Sequence, residues 1–127
     1  MANIKHLEVY RQGIKAWNAW RKKHPKIKPD LSTLSFNGVN LSGINFSNTY
    51  LENSDLRKAI FIGADFQNAY LYNVDAQNAV FDKANLTDAI LQRAIFRKAR
   101  LRNAKLDFAV LNESNFEEAD LSKASLQ

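Results

Sequence analysis

Residues 84–106 read ANLTDAILQRAIFRKARLRNAKL, and every fifth residue of this stretch is large and apolar. These residues are Leu86, Leu91, Phe96, Leu101 and Leu106, and an alanine lies two residues before each of them. A fixed period of this kind is the signature of an internal repeat. It has to be considered before local propensity, because it determines how the whole chain can fold.

The same period extends from Leu31 to Leu126. Counted in steps of five, nineteen of twenty positions are Leu or Phe, and the exception is Ala76. The series is Leu31, Phe36, Leu41, Phe46, Leu51, Leu56, Phe61, Phe66, Leu71, Ala76, Phe81, Leu86, Leu91, Phe96, Leu101, Leu106, Leu111, Phe116, Leu121 and Leu126. The alanine series holds from Ala59 to Ala124 except at Val74 and Ser114. Because Val74 lies two residues before Ala76, we interpret this pair as a local exchange of volume.

A period of five suits neither regular element. On an α-helix, five steps turn about 140° beyond a full rotation, so the series would spiral over every face. On a flat strand, successive members would alternate between the two faces. All members can face inward only if the backbone bends once per repeat, which predicts a solenoid with Leu and Phe in its bore.

Several units resemble the pentapeptide-repeat pattern, namely ADFQN at 64–68, ANLTD at 84–88 and ADLSK at 119–123. The resemblance covers residues 30–127 and implies an all-β protein, a right-handed quadrilateral parallel β-helix with four repeats per coil and about five coils. Opposite charges pair about equally well at spacings of fifteen and twenty, so the residues themselves do not decide between three and four sides. The expected structural core is Phe36, Phe46, Phe61, Phe66, Leu71, Phe81, Leu86, Leu91, Phe96, Leu101, Leu106, Leu111 and Phe116.

Residues 1–29 lie outside the repeat and are predicted to form an amphipathic capping helix with a linker. Apolar residues recur there at helical steps, at Ile4, Leu7, Tyr10, Ile14 and Trp17. Pro25 and Pro29 would end the helix before the repeats begin. We expect Ile14, Trp17 and Trp20 to cover the bore above Phe36, and residues 17–30 also resemble a lead-in of cyanobacterial pentapeptide-repeat proteins.

Positive charge is concentrated before the repeat. Residues 1–29 carry eight Lys or Arg against Glu8 alone, a net +7, whereas residues 30–127 carry ten against twelve acidic residues, a net −2. The segment 21–28 could therefore bind nucleic acid or a membrane surface instead of serving only the lid. Within the repeat, one coil holds Arg93, Arg97, Lys98, Arg100 and Arg102.

That basic coil has three possible roles. The following coil offers Glu113, Glu117, Glu118 and Asp120 at matching places, which favours ladders of opposite charge between coils, including Arg100 with Asp120. The other two are binding of an acidic protein and binding of nucleic acid. No exposed aromatic residues interleave the basic run as base-stacking platforms would require.

A stripe of apolar residues is the candidate interaction surface. In a four-sided coil, residues twenty apart stack, which aligns Tyr50, Tyr70, Ile90 and Val110, with Tyr72 on the same side. Contiguous exposed apolar surface often marks a partner site. Aromatic and β-branched ladders also suit stacked strands without any partner.

Enzyme chemistry finds no support in the sequence. His6 and His24 lie outside the repeat near no nucleophile, and no cofactor-binding or metal-ligand spacing is present. We therefore expect a non-catalytic scaffold for a protein partner, without cofactors, located in the cytoplasm and not in a membrane. The resemblance to pentapeptide-repeat proteins implies one alternative, a DNA-mimic protector of a type II topoisomerase. The basic N-terminal segment offers another, which is nucleic-acid binding. The last coil has no cap of its own, which suggests a homodimer formed through it.

Overall fold

A computed structural model describes all 127 residues and begins with two helices, α1 (Ile4–Arg11) and α2 (Ile14–Lys23). The side chain of Asn3 caps α1 by accepting a hydrogen bond from the His6 amide at 3.2 Å. The prediction of a single capping helix is wrong, because the chain breaks at Gly13. There the φ angle of +105° is outside the helical range and is open to glycine.

From residue 30 onward the backbone pairs only through single parallel bridges, and no longer strand forms. Each bridge joins residues twenty apart, from Asp30 with Tyr50 to Lys105 with Ser125. Four five-residue units lie between bridged residues, so each coil has four sides. A three-sided coil would pair residues fifteen apart, and none do.

The four sides are named by the Leu/Phe residue at the centre of their first unit. Side 1 begins with Leu31, side 2 with Phe36, side 3 with Leu41 and side 4 with Phe46. Each side recurs every twenty residues, so sides 1 and 3 face in opposite directions. The residue before each central residue makes the bridge and defines the outer column of its side.

A turn closes every unit at its corner. From Val39 onward, the amide two residues before each central residue donates to the carbonyl of the preceding central residue, as from Ala59 to Leu56 at 3.1 Å. The second residue after each central residue has a positive φ near 60°, the geometry of a type II turn. Asparagine tolerates this conformation better than most residues, and it occupies the position at Asn48, Asn53, Asn68, Asn73, Asn78 and Asn103.

The Leu/Phe and Ala series fill the bore. Every central residue from Leu31 to Leu106 is buried, and Ala76 and Val74 both lie inside with them. The phenyl rings of Phe61 and Phe81 stack across coils at 5.1 Å. Leu111 and Phe116, both expected in the core, are only partly buried because no further coil covers them in the structure.

The helices cover the first coil by supplying hydrogen bonds that a preceding coil would otherwise make. The Asn45 amide donates to Asn18 Oδ1 at 2.7 Å, and its carbonyl accepts from Trp17 Nε1 at 2.7 Å. Likewise the Asp30 amide donates to His6 Nδ1 at 3.0 Å, and its carbonyl accepts from the Asn3 amide at 2.9 Å. The lid thus replaces a coil on sides 4 and 1.

The lid also closes the bore with apolar side chains. Trp17 is fully buried, whereas Ile14 and Trp20 are partly buried against the core. Tyr10 places its ring 5.3 Å from Phe36 in an edge-to-face contact, so Phe36 is covered by Tyr10 as well as by the tryptophans. Ile4 is 74% exposed and takes no part in the lid, contrary to its place in the helical pattern.

Candidate interaction surface

Nine of the twenty outer-column positions hold Asp or Asn, and these side chains stabilise the turns. Asp55, Asp65 and Asp75 each accept a hydrogen bond from the backbone amide two residues further on, at 3.0, 2.9 and 3.2 Å. This local bond is the turn chemistry expected of Asp and Asn. Positions without such a residue are therefore the ones to consider for recognition.

Side 1 replaces this polar column with an apolar one. Tyr50, Tyr70, Ile90 and Val110 are bridged in succession. The rings of Tyr50 and Tyr70 are stacked at 4.4 Å with an interplanar angle of 18°. All four residues are partly buried, and Tyr72 is partly buried on the same side. The structure thus aligns the predicted stripe as one column, with the tyrosine rings flat against each other.

Two cations hold the tyrosine hydroxyls of this stripe. Lys28 Nζ donates to Tyr70 Oη at 3.3 Å and lies 5.7 Å from the centre of the ring. That hydrogen bond raises the pKa of Lys28. Arg93 donates to Tyr72 Oη at 3.2 Å and also pairs with Glu113 at 3.1 Å. The hydroxyl groups of Tyr70 and Tyr72 are therefore held by hydrogen bonds from cations at the edge of the stripe.

Phe108 extends the stripe at its C-terminal end and was not singled out by the sequence analysis. It lies at the corner before side 1, two residues from Val110, and it is 69% exposed. Its φ is +60°, a left-handed conformation that is uncommon for a bulky residue. The signal was present in the sequence, because Asn48, Asn68 and Asp88 occupy the same position of side 4 in the preceding coils.

Comparison with known proteins agrees with this geometry. The family described as Pentapeptide repeats matches in eight copies over residues 35–71, 64–103 and 99–127, which together span most of the chain. The chain belongs to the pentapeptide repeat family. Proteins of this family fold as right-handed quadrilateral β-helices and are generally structural and non-catalytic. No match is found among curated protein sequences.

Solved pentapeptide repeat structures resemble the chain over most of its length. A protein from Nostoc Pcc 7120 has a TM-score of 0.66 and 26% identity, covering 80% of this chain and 83% of its own. A protein from the Arabidopsis thaliana thylakoid lumen has a TM-score of 0.56 and 30% identity, covering 75% of this chain but 63% of its own. Rfr23 from the cyanobacterium Cyanothece 51142 has a TM-score of 0.53 and 21% identity, covering 87% and 93%.

Within the repeats, the basic coil forms most of the predicted charge ladders. Arg93 pairs with Glu113 at 3.1 Å, Arg97 with Glu117 at 3.7 Å and Lys98 with Glu118 at 4.0 Å. All of these side chains are substantially exposed, so each pair contributes little, about 0–1 kcal/mol. The basic side chains of this coil therefore pair with acidic side chains of the next coil, within the rod itself.

The predicted ladder between Arg100 and Asp120 is wrong. Arg100 and Arg102 both donate to Asp82 Oδ2, at 2.7 and 2.8 Å. Burial acts to raise the pKa of Asp82, but hydrogen bonds from Arg102 and Arg100 outweigh it and lower the pKa. Asp120 accepts instead from the Ser122 amide at 3.0 Å, so its carboxylate is used in the local turn.

One pair of like charges between coils is relieved by a cation. Asp55 and Asp75 are bridged on side 2, and Arg57 lies 2.9 Å from Asp55 and 3.9 Å from Asp75. The hydrogen bond from Arg57 is the main cause that lowers the pKa of Asp55 to about 2. Both carboxylates are therefore accommodated within the rod.

The basic segment 21–28 is less available than its sequence indicates. Arg21 is buried, and its guanidinium donates to the Ile27 carbonyl at 3.1 Å and the Ser47 carbonyl at 2.8 Å. Burial lowers its pKa, and the nearby Asp65 acts in the opposite direction. Arg21 thus serves the lid, and the exposed Lys28 binds Tyr70. Lys22, Lys23 and Lys26 are the exposed cations of this segment whose side chains make no hydrogen bond.

The two histidines do not form a catalytic group. His6 Nδ1 accepts from the Asp30 amide, and its ring lies 5.3 Å from Trp20, while His24 lies 5.5 Å from the same indole. The surface holds no pocket, and no group of acidic or histidine side chains is arranged to hold a metal ion. Neither helix is long and apolar enough to cross a bilayer.

Proposed function

We propose that this pentapeptide repeat protein is a rigid scaffold that binds a protein partner through side 1. The binding surface would consist of Tyr50, Tyr70, Tyr72, Ile90 and Val110, extended by Phe108. Aromatic residues are enriched at the centres of protein interfaces because they present large contact areas at low entropic cost. The stacked tyrosines of side 1 meet that description.

Phe108 is the observation that carries the proposal. An exposed phenyl ring contributes little to the fold, and a left-handed φ costs a bulky residue of the order of 1 kcal/mol or more. Nine of the other turns hold Asn or Gly at this position, and both residues adopt a positive φ more readily than Phe. The remaining turns hold polar or charged residues, so Phe108 is the only large apolar residue among them. A partner that buries the ring supplies a reason for Phe at this corner.

The alternatives have weaker support. A DNA mimic needs strong negative potential along the rod, whereas residues 30–127 carry ten basic against twelve acidic side chains. Nucleic-acid binding through residues 21–28 would depend mainly on Lys22, Lys23 and Lys26, because Arg21 and Lys28 are already engaged. Binding to duplex DNA that weakens steeply with salt would favour that role over the scaffold.

The test compares proteins captured from the native cell by three versions of the full chain. One is the natural protein, and one carries Phe108→Asn with Tyr72→Gln. Both changes copy residues from the same positions of side 4 and side 1, Asn68 and Gln92. The control carries Gln67→Thr on side 4, outside the stripe, which copies Thr87.

We expect a partner that the natural protein and the control retain and the side 1 variant loses. Equal capture of every protein by all three would overturn the proposal. A homodimer through the last coil and a cytoplasmic location stay predictions. A monomeric mass by light scattering at micromolar concentration would contradict the homodimer.

A further inference from the structure

Side 3 carries a second apolar surface, which faces away from the side 1 stripe. Ile60 and Val80 are bridged in its outer column, and Ile62 follows Phe61 on the same side. Ile62 is 42% exposed. We call Ile60, Ile62 and Val80 the side 3 patch. Ile62 is more exposed than any residue of the stripe on side 1, since all of those are partly buried.

Lysines without a partner flank the side 3 patch. Lys58 lies at the corner before Ile60, and Lys83 lies at the corner after Asp82. Neither lysine forms an ion pair with a carboxylate, and both are exposed. Each lysine lies two residues after a central residue, Lys58 after Leu56 and Lys83 after Phe81. The chain turns at this position, and the side chain points away from the bore.

Next to the patch, two arginines share a single carboxylate. Arg100 is bridged to Val80 in the outer column, and Arg102 follows on the same side. Both donate to Asp82, whose side chain is 10% exposed, whereas each arginine side chain is 46% exposed. Asp120, bridged to Arg100 in the next coil, also acts on Arg102, so the two guanidinium groups face two carboxylates. The excess positive charge beside the patch is therefore that of Lys58 and Lys83.

We propose that side 3 docks an acidic segment of a partner protein in which carboxylates flank aliphatic side chains. The aliphatic residues of the segment would lie against the patch, and its carboxylates would meet the lysines and the exposed faces of the arginines. Charge complementarity of this kind guides association and selects partners. This docking surface is separate from side 1 and does not depend on it.

The observations favour an acidic protein segment over nucleic acid or a lipid surface. Side 3 holds no aromatic residue at its outward positions, so it offers no platform on which bases could stack. Its apolar side chains are short or branched and lie against a flat wall. Elements that bind membrane surfaces insert a broad apolar face that commonly includes Trp, Phe or Leu.

The test selects binders from a library of short random-sequence peptides, with the full chain as bait. Peptides that bind equally to a variant carrying Lys58→Asn, Ile62→Ser and Lys83→Asn are discarded. Each change copies the residue found at the same position in a neighbouring coil, namely Asn78, Ser42 and Asn103. The fold therefore already accommodates every substituted residue. The matched control is Gln67→Thr on side 4, which copies Thr87 and lies outside both apolar surfaces.

We expect the remaining peptides to be acidic and rich in aliphatic residues. They should bind the triple variant about tenfold more weakly than the natural protein and bind the Gln67→Thr control as tightly as the natural protein. Their affinity should fall as ionic strength rises. No remaining peptides, or remaining peptides that are neutral or basic, would overturn the proposal. Binding of duplex DNA or of phosphatidylserine vesicles that the triple variant loses would also overturn it, in favour of that other partner.

Discussion

The two ends of the bore contain the same types of residue but bury them to different degrees. At the lid, Leu31 and Phe36 are completely buried, whereas Leu111 and Phe116 in the last coil are only partly buried. The Leu/Phe period is the same at both ends, so this period alone does not determine burial. What differs is the neighbour, since helices cover the first coil and nothing covers the last one in the structure.

The backbone shows the same contrast. At the first coil, Asn18 and Trp17 satisfy both backbone groups of Asn45, and His6 and Asn3 satisfy those of Asp30. In the last coil, the amides of Leu111 and Phe116 have no backbone partner, although the equivalent amides of Leu91 and Phe96 do. Each coil is therefore stabilised by the coil or the helices next to it, as expected for a solenoid whose repeats contact only their neighbours.

The largest predicted effect compares the middle of the rod with its last coil. Phe66→Ala should lower the free energy of unfolding by about 3–5 kcal/mol, because its ring is fully buried. Phe116→Ala should lower it by only about 1–2 kcal/mol, because the ring is partly exposed and contacts Phe96 at 5.0 Å on one side. Urea denaturation measures both. Equal losses of unfolding free energy in the two variants would show that a neighbouring coil does not change the contribution of the buried ring.

The lid provides the next prediction. Asn18→Ala removes a donor to the Gly43 carbonyl at 3.0 Å and an acceptor of the Asn45 amide. We expect a loss of about 1–3 kcal/mol, since two backbone groups lose their partners. Lys23→Ala on the same helix is exposed and should change stability by less than about 0.5 kcal/mol. If both variants unfolded at the same urea concentration, the lid would not act as a substitute coil.

A smaller effect concerns pH at the closed end. Burial lowers the pKa of His6 below 6.5, with Asp30 acting against the shift and Arg21 adding to it. Neutral His6 accepts a hydrogen bond from the Asp30 amide. Its contribution is therefore fully present above pH 6.5 and is lost as the pH falls through the lowered value. Tryptophan fluorescence should report this change, because Trp20 lies 5.3 Å from the imidazole.

Two variants assign the pH response to a residue. His6→Gln should abolish the fluorescence transition, and His24→Gln should leave it in place, although His24 also lies near Trp20 at 5.5 Å. A transition that disappears with His24→Gln and persists with His6→Gln would contradict the role of His6. The last coil has no histidine, so it should show no comparable response.

The sequence predicts the repeated part of the rod better than its ends because each repeat makes the same contacts. The Leu/Phe period places the bore, and the twenty-residue columns follow once four sides are assumed. Arg100 pairs with Asp82 because its side chain is long enough to extend along side 3 to that carboxylate. A rule that pairs residues twenty apart does not predict this contact. The break at Gly13 depends on how the helices must lie over the first coil. Such contacts outside the period have no recurring signal.

Side 1 shows the same division between repeated and singular features. The stripe could be predicted from its spacing, but Phe108 could be noticed only after its turn position was known to require a positive φ. Gly38, Gly43 and Gly63 at the equivalent corners carried that information, since glycine adopts such angles without steric cost. Among the residues at these corners, Phe108 is the only large apolar one.

The smallest predicted effect lies at the open end and has the opposite sign. Phe108→Asn should raise the free energy of unfolding by about 0.5–1 kcal/mol, because asparagine accepts a left-handed φ more readily and the ring is 69% exposed. Asp88→Asn, at the same corner one coil earlier, should change it by less than about 0.5 kcal/mol. Urea denaturation compares the two. A loss of stability on Phe108→Asn would mean that the ring packs on the last coil and partly substitutes for a missing neighbour. A gain in stability would show that Phe108 does not stabilise the fold, which supports a role for it in binding.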